Sequence, residues 1–274
     1  MSASKILHNW VCRRPAKYRP LQLPHILDKT FSMHVAYSEA TIESLQDFVI
    51  CLWEIKPVSS EKISLKNIVL ADGCIDLVVT YDTKKIGYVG MGKPYFNSPI
   101  HLPARIFGAR LKPGAFEQLT KIPAKMAMGK FLKLELIDAD FDSSVFFSLE
   151  YEQAKEYFAA YLQQRIGTHR PNSFVTLFDR LCENPPSHPT ALYELFQFNP
   201  RQCQRYFIKH FGFSPQMLLS ILRFQYCLNI LTFGKATPSD VLELAAFYDH
   251  SHFIKDLKRN IGITPFEYFR EFTQ

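Results

Sequence analysis

Between Ile63 and about Leu136, short apolar runs alternate with turn-forming residues. The runs Ile68-Val69-Leu70, Ile75-Asp76-Leu77-Val78-Val79 and Ile86-Gly87-Tyr88-Val89 are each of strand length, and Asp72-Gly73, Asp82-Thr83, Lys93-Pro94, Ser98-Pro99 and Lys112-Pro113-Gly114 punctuate them. Short strands at regular spacing predict an antiparallel barrel or sandwich, an architecture that often encloses a ligand. From about Glu150 the period changes. Ala154, Phe158, Tyr161 and Leu162 recur at three- and four-residue steps, which predicts a helix over Tyr151–Gln164, and a second is expected from Ser173 to Cys182. The stretch from Glu183 to Pro189 carries Pro185, Pro186 and Pro189, which exclude a continuous helix and mark a linker.

After the linker one local plan occurs twice: a short apolar helix, a tight connection, and a helix with one apolar and one polar or basic face. That is the plan of a helix-turn-helix. In the first copy Thr190 is expected to cap a helix ending at Phe196. Asn199-Pro200 then starts a helix to His210, because asparagine accepts from free N–H groups and proline suits the first turn. Cys203 and Phe207 share one face of it; Arg201, Gln204, Arg205 and Ile208 share another. Arginine offers guanine a bidentate fork and glutamine does the same for adenine, so the residue types suit a major-groove reader. In the second copy Ser239 caps Asp240–Phe247 and Asp249 caps His250–Asn260. There Phe253 and Leu257 point one way, and His250, Ile254, Lys255 and Lys258 the other. Between the copies Ser214-Pro215 opens a helix from Gln216 to Phe233, closed by Gly234. Its length of ~27 Å is close to the ~34 Å between successive major-groove faces of B-DNA.

Composition bounds these readings more than it adds to them. The chain has 274 residues, 47% hydrophobic and 21% charged, which is enough for two packed domains. No run approaches the ~18 apolar residues of a membrane span. Residues 1–23 carry Lys5, Arg13, Arg14, Lys17 and Arg19 without an acid or an apolar signal core, so a cytoplasmic protein without membrane contact is expected. The 6 cysteines are scattered, with no zinc-type spacing; they are expected to be buried small hydrophobes, with no metal and no cofactor. The net charge of +6 is not concentrated after residue 185, where nine Lys/Arg face seven Asp/Glu. No H-E-x-x-H, G-x-S-x-G or phosphate loop supports an enzyme.

The strings Gln204-Arg205-Tyr206-Phe207, Phe211-Gly212-Phe213-Ser214-Pro215, Leu222-Arg223-Phe224, Phe247-Tyr248-Asp249-His250-Ser251-His252-Phe253 and Gly262-Ile263-Thr264-Pro265-Phe266-Glu267-Tyr268 resemble the AraC/XylS family of transcription regulators in order and spacing. The resemblance covers about Pro189–Arg270. It implies two helix-turn-helix units joined by a linker helix, with DNA contacts at Arg201, Gln204, Arg205, His250, Ser251, Ile254 and Lys255, and with RNA polymerase as a further partner. Tyr193 and Leu242 depart from the family's small alanine, and Gln197 and Ala246 from its turn glycine. Larger side chains there are expected to distort the first unit, and Gln197 lacks glycine's free access to positive φ. In the β region, Leu70-Ala71-Asp72-Gly73-Cys74-Ile75-Asp76-Leu77-Val78 and Phe107-Gly108-Ala109-Arg110-Leu111-Lys112-Pro113-Gly114-Ala115 are similar to an uncharacterised domain that precedes AraC-type domains in many bacterial regulators. This implies a sensor or dimerisation domain, and a homodimer.

The expected architecture is therefore α+β. A cupin-like or small β-barrel domain with flanking helices (1–149) is followed by connecting or dimerising helices (150–184) and an all-α domain of two helix-turn-helix units (185–274). Asp76 is an acid inside an apolar strand, and Arg110 is its nearest candidate counter-charge; without a partner it would have to face water. Asp76, Arg110, His101 and Arg105 are the candidates for effector contacts, the last two at a pocket mouth. Trp10 and Trp53 are expected to be core anchors. The function expected is sequence-specific DNA binding controlled by a small-molecule effector. The alternative is a regulator that uses the same helices for protein contacts.

Overall fold

Side chains alternate across a strand, so each strand of the first half presents one set of residues to each of two faces. The structure, a computed structural model, describes residues 17–22, 31–91, 95–182, 185–186, 188–233, 254–255, 258–260, 264 and 267. A short helix α1 (Phe31–His34) precedes ten strands: β1 (Val35–Ala40), β2 (Val49–Pro57), β3 (Ser64–Leu65), β4 (Ile68–Leu70), β5 (Ile75–Thr80), β6 (Lys85–Gly90), β7 (Tyr95–Asn97), β8 (Ile100–His101), β9 (Ile106–Leu111) and β10 (Phe131–Lys133). Six of them form an antiparallel sheet in the order β1-β2-β9-β5-β6-β10, and β3 with β8 and β4 with β7 form two short ribbons.

One face of the large sheet is a core. Ile75, Leu77 and Val79 of β5, Ile86 and Tyr88 of β6, and Phe107, Ala109 and Leu111 of β9 are buried there. The cover is the helix α4 (Tyr151–Ile166), which follows α2 (Ala115–Thr120) and α3 (Ser143–Phe146). Its buried residues Tyr151, Ala154, Phe158, Leu162 and Ile166 make a stripe of helical period, and Phe158 meets Phe107 edge-on at 5.4 Å.

Two expectations need correction here. The sheet starts at Val35, upstream of Ile63. Val49-Ile50-Cys51-Leu52-Trp53 in β2 is an unbroken apolar run because one side meets the core and the other a cavity, so no alternation announces it. The helix expected from Ser173 is shorter: Asn172 accepts from the N–H groups of Phe174 and Val175 and holds 173–176 as a turn, so that α5 spans Leu177–Cys182.

The helices α6 (Thr190–Phe196), α7 (Pro200–His210) and α8 (Pro215–Phe233) follow. Pro189, not Thr190, occupies the N-cap of α6, and no side chain caps that end. In α8, Leu218, Ile221, Leu222, Phe224, Gln225, Cys227 and Leu228 are all buried, so the helix is covered around its circumference. One side belongs to the cluster containing Leu192, Cys203 and Phe207. The same cluster takes in Tyr18, Leu70, Ala71 and Cys74 of the β domain and Phe178 of α5. Gln225 fastens the junction: its amide donates to the carbonyl of Ala71 at 2.7 Å, while its oxygen accepts from the Leu21 N–H at 2.8 Å. The two halves thus share one core.

Candidate nucleic-acid interface and ligand cavity

The turn between α6 and α7 is the tight connection that the sequence pattern requires. Gln197 closes α6 in the left-handed region at φ 54 and ψ 37, so this glutamine adopts the conformation for which glycine is favoured. Its N–H donates to the Glu194 carbonyl at 3.1 Å, and that of Phe198 to Tyr193 at 2.9 Å. The expected distortion therefore takes the form of a backbone conformation unusual for glutamine, with the turn itself intact. Asn199 and Gln202 then form a reciprocal capping box, and Pro200 occupies the first turn of α7.

On α7, Cys203 and Phe207 have no exposed surface, whereas Arg201, Gln204 and Arg205 are exposed together on the opposite side. The Arg205 guanidinium lies 5.2 Å from the Tyr206 ring centre. In the second unit Ile254 and Lys255 are helical and exposed. His250, Ser251, Leu242, Ala246 and both expected caps, Ser239 and Asp249, lie outside the described residues.

The far end of α7 is fastened to the β domain. His210 Nδ1 lies 2.7 Å from Oε2 of the buried Glu117 on α2, off the direction of a good hydrogen bond, and Lys209 Nζ lies 3.1 Å from the other oxygen. The His210 ring stacks on Phe174 at 3.8 Å. Burial pushes the His210 imidazole below the usual histidine range, against the pull of Glu117.

The second face of the large sheet borders a cavity of about 1350 Å³. Asp76, Val78 and Thr80 of β5, Trp53 and Ile55 of β2, and Ile106 of β9 line its floor. The cross-strand row Trp53, Gly108, Val78, Gly87 explains the hollow. A Cβ on Gly108 would stand 2.8 Å from the Trp53 indole, and one on Gly87 would stand 2.8 Å from the Phe131 ring. Both rings therefore occupy space that a side chain at these positions would need. The ribbons supply Ile100 and His101 to the wall, and Met217 of α8 and Arg259 of the second unit also reach it. His101 is where a pocket mouth was expected. Arg105 is not among the lining residues, because alternation turns it away between Ala104 and Ile106; it pairs with Asp82 and covers the rings of Tyr81 and Tyr151.

Asp76 and Arg110 are direct cross-strand partners. The Arg110 side chain, 6% exposed, serves three carboxylates: Glu39 at 3.0 Å, Asp72 at 3.6 Å and Asp76 at 3.8 Å. Only the first distance is a hydrogen bond. Asp72 accepts also from Gln22 and from the Cys74 N–H, and Glu39 from Tyr37. The described groups that favour the ionised Asp76 carboxyl are the Arg110 guanidinium at 3.8 Å and the Trp53 indole N–H, and the residue, 20% exposed, lines the cavity. Burial pushes its carboxyl up to about 7, although Arg110 favours the ionised form. A carboxyl whose folded value is raised adds stability below its unfolded value near 3.8, and that stability is lost as the pH climbs to about 7. Asp76→Asn should therefore stabilise the chain at pH 8, by about 1–3 kcal/mol, and leave it nearly unchanged at pH 4. Urea denaturation at the two pH values measures this; equal midpoint shifts would show that Asp76 does not titrate in this way.

Several residues of these sites had no local signal. Glu39, Asp72, Glu117 and Met217 act across long sequence separations. Trp53, expected in a core, is half-buried on the cavity floor. Gly87 and Gly108 were the available clue, since glycine inside a strand marks close approach. Of the described cysteines, Cys51, Cys74, Cys203 and Cys227 are buried, and burial raises Cys51 to about 12, the value of an unreactive thiol.

Comparison with known proteins divides the chain at the same place. Residues 41–132 match the family described as a domain of unknown function, DUF6597, and residues 192–271 match a helix-turn-helix domain. No curated protein sequence matches the chain. Among solved structures it is similar to ToxT from Vibrio cholerae, with 8% identity, a TM-score of 0.42, and coverage of 87% of this chain and 100% of that one. The complex of ToxT from Vibrio cholerae O395 with (E)-4-(8-methylnaphthalen-1-yl)but-3-enoic acid gives 8% identity and a TM-score of 0.41, covering 86% of this chain and 99% of that one. The chain joins a DUF6597 domain to a helix-turn-helix domain of the AraC type.

Proposed function

We propose that this protein is a sequence-specific DNA-binding transcription regulator whose β domain receives a small-molecule effector. The supporting observation is the division of α7 into a fully buried side, Cys203 and Phe207, and an exposed side formed by Arg201, Gln204 and Arg205. Residues of these types on an open helix face suit guanine and adenine edges and the flanking phosphates. His250, Ser251, Ile254 and Lys255 take the corresponding role in the second unit. The part up to residue 149 is the sensor, 150–184 connects, and 185–274 binds DNA as one half of a homodimer. The reach of Met217 and Arg259 to the cavity wall gives an effector direct contact with the DNA-binding half. An effector shifts the equilibrium only so far as it favours one arrangement of those elements.

Binding sites selected from genomic DNA test the reading. Arg205→Ala and Lys255→Ala should each weaken binding by about 1–3 kcal/mol, with affinity falling steeply as salt rises. Undiminished binding by both variants would remove these helices as readers and favour protein contacts instead.

A further inference from the structure

We propose that the cavity takes an amphipathic ligand bearing a protonated amine, with the ammonium group on the Asp76 carboxylate and the apolar body along Trp53, Ile55, Val78 and Ile106. This rests on the reading of the cavity as an effector site and adds the chemistry of the ligand. The floor of the cavity has an imbalance of charge. Three carboxylates, Glu39, Asp72 and Asp76, surround the single guanidinium of Arg110. Glu39 and Asp72 accept further hydrogen bonds within the protein, and of the two acids that line the void Asp76 is the more open, at 20% exposure against 7% for Asp72. A carboxylate in such a place is costly unless a cation or a strong donor meets it.

The Trp53 indole lines the cavity together with Asp76, and an aromatic ring beside a carboxylate is a pairing that attracts ammonium groups. The remaining floor is aliphatic, and the volume of about 1350 Å³ accommodates a substantial apolar body. An anionic head finds less support. Arg110 is enclosed by its carboxylates, and the other cations at the wall, Lys130 and Arg259, are both exposed to solvent.

Calorimetric titration of the full chain at pH 8 with octylamine, octanol and octanoate, each below its micelle concentration, tests this. Octylamine should bind at least tenfold more tightly than octanol, and octanoate more weakly than either. In Asp76→Asn the octylamine affinity should fall at least tenfold while octanol changes less than twofold, which shows that the cavity is still formed. Trp53→Phe should lose the fluorescence quenching that octylamine causes in the parent protein. Octanoate binding as tightly as octylamine, equal octylamine affinity in Asp76→Asn, or no binding of any of the three would overturn the assignment. Operator binding by Arg205→Ala is measured without these probes, so a failure here is separable from a failure of the regulator reading.

Discussion

Arg110→Met is expected to cost about 3–5 kcal/mol of folding stability at neutral pH or above, the range for removing one partner of a buried charge group. Methionine fills much of the same space, so the loss is electrostatic more than steric. The side chain is 6% exposed and is the cation shared by Glu39, Asp72 and Asp76. Without it three carboxylates lie together on one sheet face, and protonation becomes their remaining relief. The sign follows from Asp76, whose carboxyl burial already raises to about 7. Loss of the guanidinium raises it further, so the variant's deficit should shrink as the pH falls and be smaller at pH 5 than at pH 8. Urea unfolding of both proteins at the two pH values checks it. A deficit independent of pH would mean that packing, and not charge, is what Arg110 contributes.

Gln225→Leu should destabilise the protein by about 2–4 kcal/mol, although leucine suits a buried helix better than glutamine does. The reason lies outside α8. The Gln225 amide donates to the carbonyls of Ala71 at 2.7 Å and Leu21 at 3.4 Å, and its oxygen accepts from the Leu21 N–H at 2.8 Å. Leucine leaves all three backbone groups without this partner, and Ala71 is fully buried. Hydrogen exchange should accelerate first at Leu21 and in the turn Ala71–Cys74, before any change in α4. Parent-like stability and exchange would show that apolar contact alone holds α8 in place.

How far the molecule could be read from its sequence depended on the range of the interactions. The bounds of α7 were legible because Asn199-Pro200 is a strong local start signal, and the capping box forms there. The length of α8 followed from Ser214-Pro215, with Ser214 Oγ accepting from the Met217 N–H at 3.2 Å. Arg110 was legible as the candidate counter-charge of Asp76 because a buried acid needs a partner, and the strand register sets the two opposite each other, 3.8 Å apart. What stayed hidden was non-local. The strand β2 lacks alternation, and Glu117 meets His210 only after some ninety residues of intervening chain have folded. Gln225 was a usable sign, since an amide between the apolar pairs Ile221-Leu222 and Cys227-Leu228 implies a specific partner, but its identity depended on where the β domain lies.

Gly87 and Gly108 tie the lining of the cavity to the pairing of the strands beneath it. A methyl group at position 108 would stand 2.6 Å from the Leu77 carbonyl oxygen as well as 2.8 Å from the Trp53 indole, and one at position 87 would press on the Leu132 carbonyl oxygen as well as on the Phe131 ring. A backbone carbonyl does not swing aside as the end of a side chain does, so an alanine at either place displaces a neighbouring strand together with the ring. The size of molecule admitted there is thus coupled to the integrity of the sheet, and widening or narrowing the space through these two positions would strain the fold that forms it.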